Sequence, residues 1–157
     1  MSKFENAMKL MKENYDGKES VVALATISLT PNTDGKPRPA NRMMCAYYED
    51  GAFYMSSDAK KNKTLQIEKN NEVSICGMNW CTFQGTAENL GWVKDEKNAH
   101  IRTQFKKVFD WFDTDGDEDN PNSIILKITL TEGVMLDFEK KFGDMKYEID
   151  FVNKVAK

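Results

Sequence analysis

The chain lacks any run of about 18 apolar residues, so no segment is suited to crossing a bilayer as a helix. Its opening stretch, MSKFENAMKLMKENYDG, has no apolar centre of the secretory kind. Cysteine is sparse: Cys45, Cys76 and Cys81 are an odd set with no C-x-x-C spacing, which predicts reduced thiols and a cytoplasmic protein. One histidine, His100, leaves no cluster for a zinc centre. Neither G-x-x-x-x-G-K nor G-x-G-x-x-G occurs, so neither a P-loop nor a Rossmann phosphate site is indicated. There is no basic excess either; the net charge is −3, which disfavours nucleic acid as a partner. The acidic run Asp113–Asp119 invites a calcium loop. An EF-hand counted from Asp113 needs glycine at its sixth place and glutamate at its twelfth, where Glu118 and Ile124 stand.

What is present is the composition of a folded protein. The 157 residues are 40% hydrophobic and 30% charged, which predicts one domain over 1–157 with one core. Phe4, Ala7, Met8, Met11 and Tyr15 fall on one helical face, stopped by Asp16-Gly17. Strands are expected over 20–29, 40–48, 52–56, 72–78 and 80–89. In the first of these, Val21, Ala23, Ala25, Ile27 and Leu29 share a face. Ser123 to Leu130 alternates, and Val134, Leu136 and Phe138 follow the turn-like Thr131-Glu132-Gly133. A helix from about Lys60 to Asn70 is capped by Ser57-Asp58. A longer one runs from Lys94 to Phe112, with Ile101, Phe105, Val108, Phe109 and Phe112 at helical spacing. The tail from Lys140 is ambiguous.

Strands separated by helices could also signal a parallel α/β sheet. Hairpin signals at 49–51, 77–79 and 131–133 favour antiparallel pairing. The expectation is a mainly β protein, an antiparallel barrel of about six to seven strands with flanking helices.

The segment from Gly35 to Asn71 is the most informative. Arg42 interrupts an apolar strand. Ser56 and Ser57 end the next strand, and Lys60, Lys61 and Lys63 open the helix after it. Hydroxyls and cations at a strand-to-helix junction make an anion site, because helix N-termini carry unpaired N–H groups and a partial positive charge. Lys63 brings a full charge, and Arg42 can pair with two oxygens at once. A phosphate monoester matches two or three such cations. Singly, each of these residues also reads as a solvated lysine or an ordinary ion-pair arginine. His100 reads as a helix histidine, with haem ligation or proton donation as the other reading. Trp80, Trp92 and Trp111 read as core or subunit-interface residues.

The pieces Gly35, Pro37, Arg42, Met44, Ser57 and Lys63, followed by Leu65 to Ile75 and by Phe83 to Glu88, resemble the FMN-binding split-barrel family. That family includes pyridoxamine phosphate oxidase and the general stress protein 26 group. The resemblance covers about residues 20 to 90 well and the remainder loosely. It implies a split β-barrel and a homodimer with FMN in the groove between subunits. Arg42 and Lys63 would hold the phosphate, with Ser57 and Ser56. Backbone groups of Arg42, Met43, Met44 and Cys45 would run beside the flavin ring, and Trp80 would lie against it. Asn62 stands where the oxidase has an arginine, which shifts phosphate binding toward Lys61. The chain ends YEIDFVNKVAK rather than in the oxidase's Arg-Leu-His-Asp-Arg type of segment, so pyridoxamine phosphate is not the expected substrate. The resemblance therefore implies an FMN-dependent oxidoreductase with a small-molecule substrate or a nicotinamide nucleotide. The other reading is a non-catalytic carrier of flavin or another flat cofactor, deazaflavin or haem.

Overall fold

The computed structural model describes residues 1–157. Six antiparallel strands close a barrel: β1 (Ser20–Ile27), β2 (Pro39–Glu49), β3 (Ala52–Asp58), β4 (Glu72–Gly77), β5 (Cys81–Trp92) and β6 (Ser123–Leu136). Hydrogen bonding runs β3-β2-β1-β4-β5-β6, and β6 pairs back onto β3. Strands β7 (Lys146–Asp150) and β8 (Val155–Ala156) extend the far edge of β6. The ambiguous tail thus forms the sheet's outer hairpin. The barrel is mainly β, as expected, and no helix is long and apolar enough to cross a membrane.

Local chemistry explains the early elements. Helix α1 (Lys3–Tyr15) opens with a capping box: Ser2 accepts from the Glu5 N–H while Glu5 accepts from the Ser2 N–H. Its apolar stripe delivers Ala7, Leu10, Met11 and Tyr15 to the barrel core, where Tyr15 meets Phe53 edge-on at 5.2 Å. Between β2 and β3, Asp50 (φ 46°) and Gly51 (φ 81°) both take the left-handed conformation that a two-residue hairpin requires.

In β1, the face turned inward is Val22, Leu24 and Thr26. Val21, Ala23 and Ala25 lie on the outer face, and Val21 is exposed. The apolar content of that outer face leaves an uncovered surface on β1 and β2, with Met43 59% exposed opposite Ala23.

Two expectations are corrected. The stretch 94–112 is not one helix. A single 3₁₀ turn (Glu96–Asn98) leads into α3 (Ala99–Val108), the chain becomes extended at Phe109, and a short α4 (Phe112–Asp115) follows. The break lets Phe109 and Phe112 close on Phe105 at 4.8 and 5.6 Å, with Trp111 stacked on Phe109. This aromatic cluster packs with Tyr47 and Ile125 on the outside of the barrel, and its burial outweighs a few further helical hydrogen bonds.

Nor is there a turn at 131–133, because β6 runs through it for 14 residues. Its register against β5 shifts between Gln84 and Gly85, leaving Thr131 as the extra residue of a bulge. Gly133 is there for space: a Cβ at that position would lie 2.3 Å from the Phe83 ring.

The acidic segment made by α4 and the loop after it is held by cations of the protein itself. Glu118 takes two hydrogen bonds from Arg102 at 2.8 Å, Asp119 pairs with Lys94 and Asp113 with Lys106. Arg102, followed by Lys106, holds the Glu118 carboxyl down at about 2. A depressed folded-state value contributes stability above the ordinary 4.5, and the contribution disappears as pH falls through about 2. The stability difference between wild type and Glu118→Gln is therefore expected to be flat above pH 4.5 and to shrink below it in urea titrations. A difference that stays constant down to pH 2 would show that the pairing is absent in solution.

Candidate functional site

Strands β2 and β3 share only three pairs, Tyr47 with Tyr54 through Glu49 with Ala52. Beyond them the strands part. Residues 39–46 of β2 pair with β1 alone, and Met55 through Asp58 of β3 pair with β6 alone. One backbone edge of β2, from Ala40 to Ala46, therefore has no strand beside it. Helix α2 (Asn62–Lys69) follows β3 and packs on β1 and β5.

The cap of α2 differs from expectation. Lys61 is the N-cap and makes no side-chain cap bond. Asp58 instead accepts from the Lys60 N–H at 2.7 Å, forming a turn one step earlier. Ser57 reaches Thr64 at 3.3 Å, and the Thr64 hydroxyl donates to the Asp58 carbonyl. The first-turn N–H groups of α2 therefore have no side-chain cap.

Arg42 shares the inward face of β2 with Met44, opposite Leu24 and Val22 on β1. Its Nη1 donates to Thr26 Oγ1 at 2.7 Å and to the carbonyls of Leu24 and Ala40 at 3.1 and 3.2 Å. Its Nη2 donates to Gln66 Oε1 of α2 at 3.0 Å. Lys63 lies one helical turn before Gln66 and so shares its face of α2. Burial, then Arg42, then Lys61 push the Lys63 ammonium below its ordinary range, and burial does the same to Arg42.

None of Arg42, Lys61 and Lys63 forms a salt bridge. Arg102, Lys94 and Lys141, by contrast, each pair with a carboxylate. Three cations brought together without a salt bridge, with the Asp58 carboxylate only weakly favouring the Lys63 charge, lie beside an uncapped helix start and form an electropositive corner whose chemistry is anion binding.

The structure brings together Arg42, Ser57, Lys61 and Lys63. Thr26, Thr64 and Gln66, which sequence reasoning passed over, complete the corner. No local signal marks Thr26 or Gln66, because each gains its meaning from a partner on another element.

The remaining candidates lie elsewhere. Ser56 is on the opposite face of β3 from Ser57, in register with Ile125. Met44 packs against the barrel core. Met43 and Cys45 are on the outer face of β2, and burial, then Glu19, raise the Cys45 thiol to about 11, so it remains protonated. Trp80 sits in the β4–β5 turn with φ 53°, a strained value for so large a residue. Its indole is 68% exposed and meets the exposed Phe138 ring edge-on at 5.6 Å. His100 binds both Glu49 carboxylate oxygens through Nε2, at 2.8 and 2.9 Å.

A family model described as pyridoxamine 5'-phosphate oxidase matches residues 9–137. The fold is similar to that of general stress protein 26 from Bacillus anthracis str. Sterne, at 17% identity over 80% of this chain and 91% of that one, with a TM-score of 0.55. It is also similar to a NimC/NimA family protein from Clostridium acetobutylicum, at 21% identity over 91% and 94% of the two chains and a TM-score of 0.58. A third similar structure is HutZ, a haem storage protein from Vibrio cholerae, at 15% identity over 83% and 91%, with a TM-score of 0.59. No curated protein matches the sequence.

Proposed function

The chain belongs to the pyridoxamine 5'-phosphate oxidase family, and from that membership we propose that it is an FMN-binding oxidoreductase acting on a small molecule or a nicotinamide nucleotide. The observation that carries this reading is the group of Arg42, Lys61 and Lys63, none in a salt bridge, in which burial, Arg42 and Lys61 oppose the Lys63 charge more strongly than Asp58 favours it. In the free protein that arrangement is costly. A phosphate monoester of nearly two negative charges offsets it.

Arg42 and Lys63 would take the phosphate oxygens, with Lys61 as a further cation and the Ser57 hydroxyl as a donor on exchanging its 3.3 Å bond to Thr64 for the anion. The unpaired β2 edge from Arg42 to Cys45 would give backbone N–H and C=O groups to the polar rim of the ring. Trp80 would present its exposed indole to the same ligand. When bound, FMN supplies a ring able to accept a hydride, and the protein supplies position and electrostatics. The exposed apolar face of β1 and β2, with Val21 and Met43, supports a homodimer with the cofactor at the subunit boundary. Haem fits less well, since His100, the one histidine, is engaged by Glu49.

The absorption spectrum of the purified protein tests the reading. Flavin bands, with fluorescent FMN released on denaturation, are expected, as is anaerobic bleaching by NADH or NADPH at a catalytic rate. Flavin without bleaching by either nucleotide would point to a carrier. A colourless protein that fails to take up FMN, or one with an intense haem Soret band, would overturn the reading.

A further inference from the structure

We propose that Thr26 and Gln66 are positioning residues that lock the Arg42 guanidinium with one edge aimed at the phosphate, an inference that rests on the phosphate-holding reading above. The three side chains form a closed ring of hydrogen bonds. Arg42 Nη1 donates to Thr26 Oγ1 at 2.7 Å, the Thr26 hydroxyl donates to Gln66 Oε1 at 2.6 Å, and Arg42 Nη2 donates to that same oxygen at 3.0 Å.

Each direction in the ring is forced. A guanidinium can only donate, so Thr26 must accept from it and spend its own hydrogen on Gln66. Gln66 Oε1 then receives two donors, which fixes the orientation of its amide. Thr26 is 1% exposed and Gln66 7%, so neither oxygen has water as a ready alternative partner. The carbonyls of Leu24 and Ala40 hold Nη1 from two more directions.

The inner edge of Arg42 is therefore saturated. Its Nε–H and the second hydrogen of Nη2 make no bond within the chain. Those two parallel donors are the pair that grips two oxygens of one phosphate. An arginine held in this way has little rotamer freedom left to lose when the anion arrives, which is where preorganisation adds affinity. The ring also joins β1 to α2, so the start of α2 and Lys63 are held in the same frame.

The experiment compares FMN with riboflavin, which has the same ring and no phosphate, by fluorescence titration of the full chain freed of bound nucleotide. Thr26→Val and Gln66→Met are each expected to weaken FMN by about tenfold, the scale of one lost hydrogen bond to a charged group. Riboflavin affinity stays as in wild type, and Thr26→Ser, which keeps the hydroxyl, retains wild-type binding of both. Gln66→Met leaves Thr26 in place and decides the matter alone should Thr26→Val not fold. Equal losses for FMN and riboflavin, or no loss for either, would overturn the proposal, because the ring would then serve the fold only. In that case a wild-type preference for FMN over riboflavin would still uphold the phosphate reading. A wild type without that preference would overturn both.

Discussion

Lys63→Glu is expected to reduce FMN affinity by roughly a hundredfold or more, while leaving riboflavin affinity close to wild type. The substitution removes one cation from the corner and places an anion against the phosphate, where desolvation strengthens the repulsion. The same change should not harm the fold. Burial first, then Arg42 and Lys61, hold the Lys63 ammonium below the ordinary 10.5, so the folded chain holds that proton less tightly than the unfolded one. Stability then rises with pH across the interval from the lowered value up to 10.5. A glutamate at position 63 turns the repulsion from Arg42 and Lys61 into attraction, offset by its own burial and by Asp58, so the cofactor-free variant should melt close to wild type at neutral pH. The stability of the variant relative to wild type should fall as pH climbs toward 10.5. Thermal melts of both cofactor-free proteins across pH, with titrations of the two flavins, check the result. FMN affinity that survives the charge reversal would show that Lys63 does not touch the phosphate.

Gly85→Ala should cost about 3 kcal/mol, at the upper end for overpacking. A Cβ at this position would come 2.3 Å from the backbone oxygen of Thr129 on β6, and backbone cannot swing aside as a flexible side chain can. Gly85 lies at the register shift that bends β5 over β6. Forcing those strands apart disturbs the wall holding Ile128 and Leu130 in the core. Urea denaturation of the two proteins measures the difference. A loss below about 1 kcal/mol would mean that β5 and β6 sit farther apart than described, since strain of this kind has no other release.

Gly133 shows why part of the sheet was hidden from sequence reading. Thr131-Glu132-Gly133 has the composition of a turn, and a glycine that turns the chain cannot be told locally from one that admits a neighbour. The occupant of the space is Phe83, about fifty residues earlier in the chain. The helix over 94–112 failed for a related reason. Its apolar spacing is continuous, but the chain breaks at Phe109 because the aromatic rings gather on Tyr47 and Ile125. In β1 the residues at one alternating face were legible, while which face turned inward depended on the strands beside it.

The electropositive corner was partly legible. Arg42 within apolar residues and the lysines after Ser57 stand out locally, because charge in a strand and cations at a helix start are visible without coordinates. Ser56 and Ser57 could not be separated until pairing with β6 put them on opposite faces.

By itself the sequence determined α1 with its stop, the hairpin at 49–51, the alternating strands, the antiparallel barrel they build and the cations around 42–63. These follow from periodicity and turn chemistry, which act over a few residues. Tertiary structure alone decided that β2 and β3 part to leave a free edge, and that Arg42 is gripped by Thr26 and Gln66, 16 and 24 residues away. It also decided that the cations at 42, 61 and 63 form no salt bridge. The reason is physical: a hydrogen bond or a charge pair depends on distance in space, and closing the barrel sets which distant residues come within reach.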